Sequence, residues 1–391
     1  MEGREIVNPS MQIDPHAVTP AGKPRARALG IPFGGQPGRW NAITDVPGVE
    51  VGYATLIQGE SVRTGVTAIH PRGPAGADDP VAAGFFSLNG NGEMTGVSWI
   101  EESGTAAGPV AITNTHAVGI VHAAVIGWSV ANHPRAAETW LLPVVAETWD
   151  GYLNDINSPH VTQQSATAAL EASASGPVEE GSVGGGTGMN CYGFKGGSGT
   201  ASRLVGYAGD AYTVGVFVQA NFGSRSELTL AGLPLGELLA DDNPMAEYFS
   251  APPGAGSVIA VVATDAPLLP GQCKALARRV SLGLARTGTA GSHFSGDLFL
   301  AFSTGNPGAF LTSGEALRSS GGTGYGELRF IPWGFLDPFY TAVVQGTEEA
   351  VANALTANED MTGKDGHRSP ALPRDKVAGL IRARYQPGAG G

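Results

Sequence analysis

The chain has 391 residues, of which 42% are hydrophobic and 15% charged, and its formal net charge of −12 argues against a basic stripe for a phosphate backbone. It contains no run of 18 apolar residues, and its start, MEGREIVNPSMQIDPHAVTP, lacks the apolar core of a signal peptide. We therefore expect a cytoplasmic protein that binds neither nucleic acid nor a membrane.

Pattern and turn signals divide the chain into short elements. Residues 1–38, punctuated by Pro, Gly and Arg, predict an extended N-terminal arm and not a packed element, and 39–391 predict a single domain. Apolar or alternating runs between turn residues predict strands at 49–56, 67–71, 82–88, 110–115, 212–220, 257–264 and 297–304. Helical patterns cover 117–132, 161–174, 271–287 and 347–358.

Two segments allow a more specific expectation. The pattern at 117–132 is apolar nearly all round and predicts a buried helix. The glycine-rich stretch 175–200 is interpreted as a shaped surface loop, with a flexible linker as the alternative. Strands and buried helices alternate without a regular βαβ rhythm or a repeat, which favours packed layers with a mixed sheet over a barrel or solenoid.

Common catalytic and cofactor motifs are missing from the sequence. The glycine-rich stretch contains no G-x4-G-K-[ST] match, because Lys195 lies between Phe194 and Gly196. There is no H-E-x-x-H or H-x3-H pair and no G-x-S-x-G elbow. Cys191 and Cys273 match no metal or redox spacing. We expect no metal and no organic cofactor.

One dipeptide suggests chemistry of a different kind. In APPGAGSVIAVV (251–262), small turn-forming residues change to a strand pattern at Gly256-Ser257. Glycine has no Cβ, so a following hydroxyl can approach its carbonyl. Attack by Ser257 Oγ on the Gly256 carbonyl makes an ester, and water then cuts the chain, leaving Ser257 with a free α-amine that can act as a local base. The alternative is an ordinary turn serine that caps a strand.

Segments spread over almost the whole chain, from about residue 28 to about residue 384, resemble the DmpA-type aminopeptidases and β-peptidyl aminopeptidases. They are ITDVPGVEVGYATL (43–56), NGNGEMTGVSWIEESG (89–104), WDGYLNDIN (149–157), VQANFG (218–223), GSVIAVVATDAPLLP (256–270), HFSGDLFLAFSTGN (293–306) and TEEAVANAL (347–355). The resemblance implies an α/β protein with a four-layer αββα sandwich, two stacked mixed sheets flanked by helices. It also implies self-cleavage between Gly256 and Ser257 into an α chain (1–256) and a β chain (257–391), with a homotetramer of processed heterodimers.

The resemblance also implies roles for particular residues. Ser257 matches the nucleophile. Ser295 and Asp297, in F-S-G-D-L-F, match a serine and an acid that relay a proton and orient the nucleophile. Strand alternation supports this pairing, because positions 295 and 297 project to one face. A strand-end turn at these two positions is the alternative.

Three further residues are carried over in the same way. Asn221, in Q-A-N-F-G, matches an oxyanion-hole side chain, and Tyr152, in D-G-Y-L-N, matches a phenol that points into the site. Glu147 falls where an acid that pairs with the substrate ammonium is expected. The alternatives are a strand cap for Asn221, core packing for Tyr152 and a solvated charge for Glu147.

The implied activity is that of a serine aminopeptidase that removes N-terminal residues, β- or D-residues among them, from peptides, amides or esters with a free amino terminus. Two other functions stay open from the sequence: an ornithine-type acyltransferase of the same architecture, and an uncleaved ligand-binding scaffold. The acyltransferases use threonine as the new terminus, whereas this chain has serine.

Overall fold

The computed structural model describes residues 14–134, 136–138, 140–248, 256–311 and 325–385. Residues 1–13 of the predicted arm and 251–255 of the loop before Gly256 lie outside these ranges. The strands are Glu50–Gln58 (β1), Val62–His70 (β2), Val81–Gly90 (β3), Thr105–Ala106 (β4), Val110–Asn114 (β5), Val144–Thr148 (β6), Asn190–Cys191 (β7), Phe194–Lys195 (β8), Gly197–Tyr207 (β9), Asp210–Asn221 (β10), Gly256–Thr264 (β11), Ser295–Ser303 (β12), Met361–Thr362 (β13) and Arg368–Ser369 (β14). The α-helices are Val97–Ser103 (α1), Val118–Asn132 (α2), Gln163–Glu171 (α3), Leu235–Leu238 (α4), Pro270–Ala285 (α5), Asp337–Thr356 (α6) and Arg374–Tyr385 (α7).

Two mixed sheets form the centre of the molecule. Within the described ranges, one sheet has the order β1-β2-β5-β6 and the other the order β4-β3-β12-β11-β10-β9. Strands β5 and β6 are parallel, as are β11 and β12, and the other pairings in these two sheets are antiparallel. Strand β11 is therefore central, with β10 on one side and β12 on the other.

The buried apolar side chains divide into layers that follow the sheets. Ile112, Phe217, Ile259 and Leu300, from both sheets, share the cluster between them. The outer face of the β1-β2-β5-β6 sheet packs on α2 and α3, and that of the other sheet packs on α5 and α6. The predicted αββα sandwich is confirmed by this layering. None of the described helices combines the length and the apolar content needed to cross a membrane.

The described part of the N-terminal arm, 14–38, packs against the body, contrary to the expectation of an unpacked segment. Its guanidinium at Arg25 is 3% exposed, and Arg25 Nε donates to Glu180 Oε2 at 2.7 Å. Arg27 binds the fully buried carboxylate of Glu349, which also receives Arg203 Nη2 at 2.6 Å. This ion-pair network fixes the arm, because an unpaired charge at such depth is costly. The domain boundary at residue 38 remains a prediction.

The glycine-rich stretch is interior, so the prediction of a surface loop is wrong for most of its length. Gly184, Gly185 and Gly186 are buried, and a Cβ on Gly185 would lie 2.7 Å from the Ile112 carbonyl oxygen and against the Gln219 side chain. Ile112 and Gln219 belong to opposite sheets, so the chain passes between the sheets at a point where only glycine fits. From residue 197 the stretch continues as β9.

Helix α2 is buried on one face only, through residues that include Val121, Val125 and Trp128. On its other face Ile120 is 38% and Val130 52% exposed. The expectation of a helix buried all round is therefore wrong for the single chain, although the apolar outer face explains why the sequence pattern predicted it.

Candidate active site

Gly256 and Ser257 begin β11, at the middle of the larger sheet. Ser257 lies opposite Asn221 of β10 in the antiparallel register and beside Gly296 of β12 in the parallel register. Its residue is 3% exposed, and its Oγ is buried with no hydrogen-bond partner among the described residues. A buried hydroxyl without a partner is uncommon in a native protein and calls for an explanation.

Gly256 lies against the end of β10. A Cβ at this position would be 3.0 Å from Phe222 Cα and would overlap the Asn221 carbonyl oxygen. Real Cβ atoms essentially never approach another atom more closely than 3.0 Å, so the backbone at Gly256 is closer to its neighbour than any other residue allows. The glycine is thus required by packing at the bond that precedes Ser257.

Asn221 is the last residue of β10, and both ends of its amide are held. Oδ1 accepts the Asn190 N–H at 2.9 Å, and Nδ2 donates to the Trp149 carbonyl at 2.9 Å. An amide nitrogen has two N–H donors, and Trp149 takes one of them. Because directly opposed residues on antiparallel strands project to the same face, the Asn221 side chain lies on the side of Ser257.

Ser295 and Asp297 form a hydrogen-bonded pair beside the start of β11. Ser295 Oγ donates to Asp297 Oδ1 at 2.6 Å, and Asn89 Nδ2 donates to Asp297 Oδ2 at 2.9 Å. Burial raises the pKa of Asp297, and these hydrogen bonds oppose the shift only in part. The predicted common face of positions 295 and 297 is present in the structure.

Glu147, near the end of β6 in the other sheet, is 3% exposed. It accepts hydrogen bonds from Thr115 Oγ1 and from the Glu93 N–H, the latter at 2.9 Å. Burial raises the pKa of Glu147, and the two hydrogen bonds oppose this rise. The loop that carries Glu93 can come this close because Gly296 has no side chain: a Cβ there would lie 2.8 Å from Gly92 Cα.

Tyr152 is 2% exposed and is held by other partners. Its ring stacks on His367, with centroids 4.6 Å apart, and its hydroxyl lies 3.3 Å from the Arg368 carbonyl oxygen. Tyr248 contacts the ring edge-on with a centroid distance of 5.0 Å. Among the described residues, Tyr152 is not part of the cavity wall described next.

A cavity of about 1120 Å³ lies where β6 and β10 end and β11 begins. Its wall includes Gly256, Ser257, Asn221, Glu147, Thr115 and Arg225. The volume is slightly above the range typical of ligand pockets, roughly 300–1,000 Å³. The structure thus brings Ser257, Asn221 and Glu147 to one cavity, with the Ser295–Asp297 pair beside it but outside its wall. No cluster of three or more His, Cys, Asp or Glu side chains within the described ranges could hold a metal ion.

Sequence reasoning did not identify the groups that hold these side chains. Thr115 and the Glu93 N–H bind Glu147, the Asn190 N–H and the Trp149 carbonyl bind Asn221, and Asn89 binds Asp297. Three of these contacts use main-chain atoms, for which residue type carries no signal. The only available signal was position, since Thr115 directly follows β5 and Trp149 directly follows β6.

Comparison with known proteins places this arrangement in a family. The profile of peptidase family S58 matches residues 41–369. The Beta-peptidyl aminopeptidase BapA of Sphingosinicella microcystinivorans is 48% identical over 377 residues, which cover 92% of each chain. A second BapA, from Sphingosinicella xenopeptidilytica, is 43% identical over 378 residues, which are 93% of this chain and 92% of that one.

Solved structures agree with the sequence relatives. The L-aminopeptidase D-Ala-esterase/amidase of Ochrobactrum anthropi, described as a prototype for the serine aminopeptidases and a variant of the Ntn hydrolase fold, has a TM-score of 0.85 and 45% identity, over 93% of this chain and 99% of that chain. A Burkholderia sp. β-aminopeptidase has a TM-score of 0.81 and 44% identity, over 92% and 98% of the two chains. The chain therefore belongs to peptidase family S58 and is a serine aminopeptidase of the N-terminal nucleophile hydrolase fold, with peptide or amide substrates.

Proposed function

We propose that the chain cuts its own backbone between Gly256 and Ser257, and that the new Ser257 terminus removes N-terminal residues from peptides, amides and esters with a free amino terminus. The observation that carries this proposal is the buried, unpartnered Ser257 Oγ at the start of the central strand, opposite Asn221 and on the cavity wall. The close packing of Gly256 on β10 also supports the Gly256–Ser257 peptide bond as the position of cleavage.

In the processing step, Ser257 Oγ attacks the Gly256 carbonyl carbon, and the carbon–nitrogen bond breaks as the Oγ proton passes to the Ser257 nitrogen. Water then hydrolyses the ester, which leaves a Gly256 carboxylate and restores the Ser257 hydroxyl. The products are the α chain, 1–256, and the β chain, 257–391.

In the turnover step, the Glu147 carboxylate binds the substrate ammonium, and the neutral Ser257 α-amine takes the Oγ proton as Oγ attacks the substrate carbonyl. Asn221 donates to the oxyanion, which in comparable sites contributes about 3–4 kcal/mol. The proton passes to the leaving amine, and water, deprotonated by the same α-amine, releases the acyl group. Ser295 and Asp297 orient the α-amine and relay its proton.

Tyr152 is proposed as a second hydrogen-bond donor to the substrate. Tyr152 lies outside the described cavity wall, and its hydroxyl is 3.3 Å from the Arg368 carbonyl oxygen, so this role requires the phenol to leave that partner and move into the cavity. The resemblance to the family is the support for this assignment, and Tyr152→Phe tests it through kcat.

We further propose a homotetramer of processed heterodimers in the cytoplasm. The exposed apolar side chains of Ile120 and Val130 on the outer face of α2 support an interface between copies. Sedimentation of the wild-type protein and of an Ile120→Glu variant tests this directly, since a charge within the interface is expected to lower the oligomeric state.

The substrate is proposed from the names of the relatives, which include β-peptidyl aminopeptidases and an L-aminopeptidase D-Ala-esterase/amidase. The test is turnover of matched aminoacyl nitroanilides with L-, D- and β-residues, each beside its N-acetylated form. Because Glu147 binds the free ammonium, acetylation is expected to abolish turnover. Transfer of the acyl group to ornithine in preference to water would favour the acyltransferase instead.

Ser257→Ala tests the nucleophile. We expect a single uncut chain with no turnover, whereas the control Ser303→Ala, at the far end of β12, is expected to process and to turn over substrate. A folded, uncut Ser257→Ala protein with full activity would show that another group is the nucleophile and would favour another mechanism.

A further inference from the structure

Arg225 stands out among the cavity-wall residues because its charge is directed at the main chain. It follows β10 by four residues, lies on the cavity wall and is 7% exposed. A guanidinium has five N–H donors, and all five have backbone carbonyl partners here. These partners are Tyr192 (3.0 Å from Nε), Leu239 (2.8 Å) and Asp241 (3.1 Å) from Nη1, and Gly193 and Asp242 (3.3 Å) from Nη2.

The first group of carbonyls belongs to the turn of the β7–β8 hairpin. Tyr192 and Gly193 are the two turn residues, with φ of 54° and 68°. These angles fit a type I′ hairpin turn, which needs positive φ at both positions, and tyrosine is poorly suited to this conformation. Arg225 binds the carbonyls of both residues and packs over the ring of Phe194 at 3.5 Å from its centroid. The guanidinium therefore stabilises a turn that the local sequence disfavours.

This hairpin in turn holds the amide of Asn221. The backbone N–H of Asn190, in β7, donates to Asn221 Oδ1, which leaves the Nδ2 end facing the Trp149 carbonyl and the cavity. A shift of the hairpin moves this N–H and allows the amide to rotate.

The second group of carbonyls lies in 239–242, a segment that precedes the proposed cleavage position. Residues just beyond it, Asn243 and Met245, line the cavity. After cleavage this wall is no longer joined to β11 through the 256–257 bond. Arg225 then remains as a direct link between the wall and the hairpin.

We propose that Arg225 is a positioning residue that holds the Asn221 amide in register through the β7–β8 hairpin and keeps the end of the α chain attached to it. This inference rests on the proposed role of Asn221 as the oxyanion donor. Lysine keeps the charge but has three donors and no planar fork, so it can bind at most three of the five carbonyls.

The test is a double-mutant cycle on the processed protein, with kcat normalised to the titrated Ser257 terminus. Asn221→Ala is expected to lower kcat by about 10²–10³. Arg225→Lys is expected to lower kcat by roughly 10- to 100-fold, because a misplacement of the order of 1 Å costs about 100-fold, with KM changed less than about threefold. In the Asn221→Ala background, Arg225→Lys is expected to change kcat by less than about twofold.

Arg25→Lys is the matched control, since Arg25 is another buried guanidinium that binds several backbone carbonyls. It is expected to lower the melting temperature and leave kcat unchanged. Multiplicative losses in the double variant overturn the positioning role of Arg225 alone. If Asn221→Ala retains full kcat, the oxyanion role fails instead, and Arg225 has nothing to position.

A second measurement applies if Arg225→Lys does not process. Arg225→Ala opens a space on the cavity wall, and millimolar guanidinium is expected to restore processing and turnover in a folded sample. A folded Arg225→Ala protein that guanidinium does not restore overturns the proposal.

Discussion

A Gly256→Ala substitution adds one methyl group at the position where the chain is proposed to break. The new Cβ would fall more than half an ångström inside the 3.0 Å limit from the Asn221 carbonyl oxygen, and it would also touch Phe222 Cα. Both neighbours are main-chain atoms of β10 or its continuation, so they cannot rotate away. The start of β11 must therefore move relative to β10. The Gly256 carbonyl, which Ser257 is proposed to attack, moves with it.

A displacement of this size acts mainly on the rate of cleavage. Misplacing reacting groups by about 1 Å costs on the order of 100-fold, so a shift of about half that size is expected to slow processing by roughly tenfold. Turnover by the processed fraction is expected to stay within a few-fold of wild type, because the free end at residue 256 can then move away.

The assay measures the rate at which the uncut chain is converted to two chains. Samples are taken at intervals after synthesis and separated by denaturing electrophoresis. Gly90→Ala is the matched control: Gly90 ends β3 in the same sheet, and a Cβ there meets no atom within 4 Å. Processing of Gly256→Ala at the wild-type rate would refute the argument that packing at Gly256 sets the geometry of cleavage.

Three further predictions concern buried charges. Glu147→Gln is expected to raise KM about tenfold or more. In the wild-type protein KM is expected to fall with rising pH as Glu147 ionises, through a pKa that burial has raised. This fall is expected to be absent from the pH–KM profile of the variant. Burial alone would raise the pKa of Glu349, but Arg27 and Arg203 outweigh burial and lower this pKa. The ionised Glu349 therefore stabilises the fold above the pKa of the unfolded state, and this stabilisation is lost as pH falls through the pKa of the folded state. Glu349→Gln is thus expected to lower the free energy of urea unfolding by about 3–5 kcal/mol at pH 7 and by less in acid; equal stability at pH 7 would contradict this. Burial lowers the pKa of Lys195 to about 7. Between pH of about 7 and about 10.4, the unfolded state therefore binds more protons than the folded state, and the free energy of unfolding is expected to rise with pH. Lys195→Met is expected to remove this rise in denaturant titrations, and an unchanged slope would count against it.

The strands around the site were predictable because each is buried on both faces of the sheet and is therefore apolar along most of its length. The segments 212–220, 257–264 and 297–304 are rich in β-branched and aromatic residues, and each appears as a strand with ends within two residues of the prediction. Alternation also placed Ser295 and Asp297 on one face, where they form a hydrogen bond.

The sequence pattern does not predict strand β9, because most of its buried side chains are polar and only Ala201 and Val205 are buried apolar ones. Thr200, Ser202 and Arg203 are buried, and their partners lie far away in the sequence: Val216, Asp45 and Glu349. A pattern of apolar residues cannot reveal a strand whose burial depends on such tertiary hydrogen bonds. The glycines before β9 predict a surface loop for a related reason, since close approach between two sheets requires the same glycines that are typical of a loop.

The site was predictable only at the level of separate residues. Resemblance supplied Glu147, Asn221 and Ser257, but their meeting depends on contact between two sheets. The Thr115 hydroxyl and the Glu93 N–H that bind Glu147 come from two different loops, and no local pattern connects them.

Self-cleavage at Ser257 can be tested by intact-mass analysis and amino-terminal sequencing of the purified, catalytically competent enzyme. We expect two polypeptides, the smaller of which starts with SVIAVV and has a free amine on Ser257. A single continuous polypeptide of 391 residues that turns over substrate at the full rate would contradict self-cleavage.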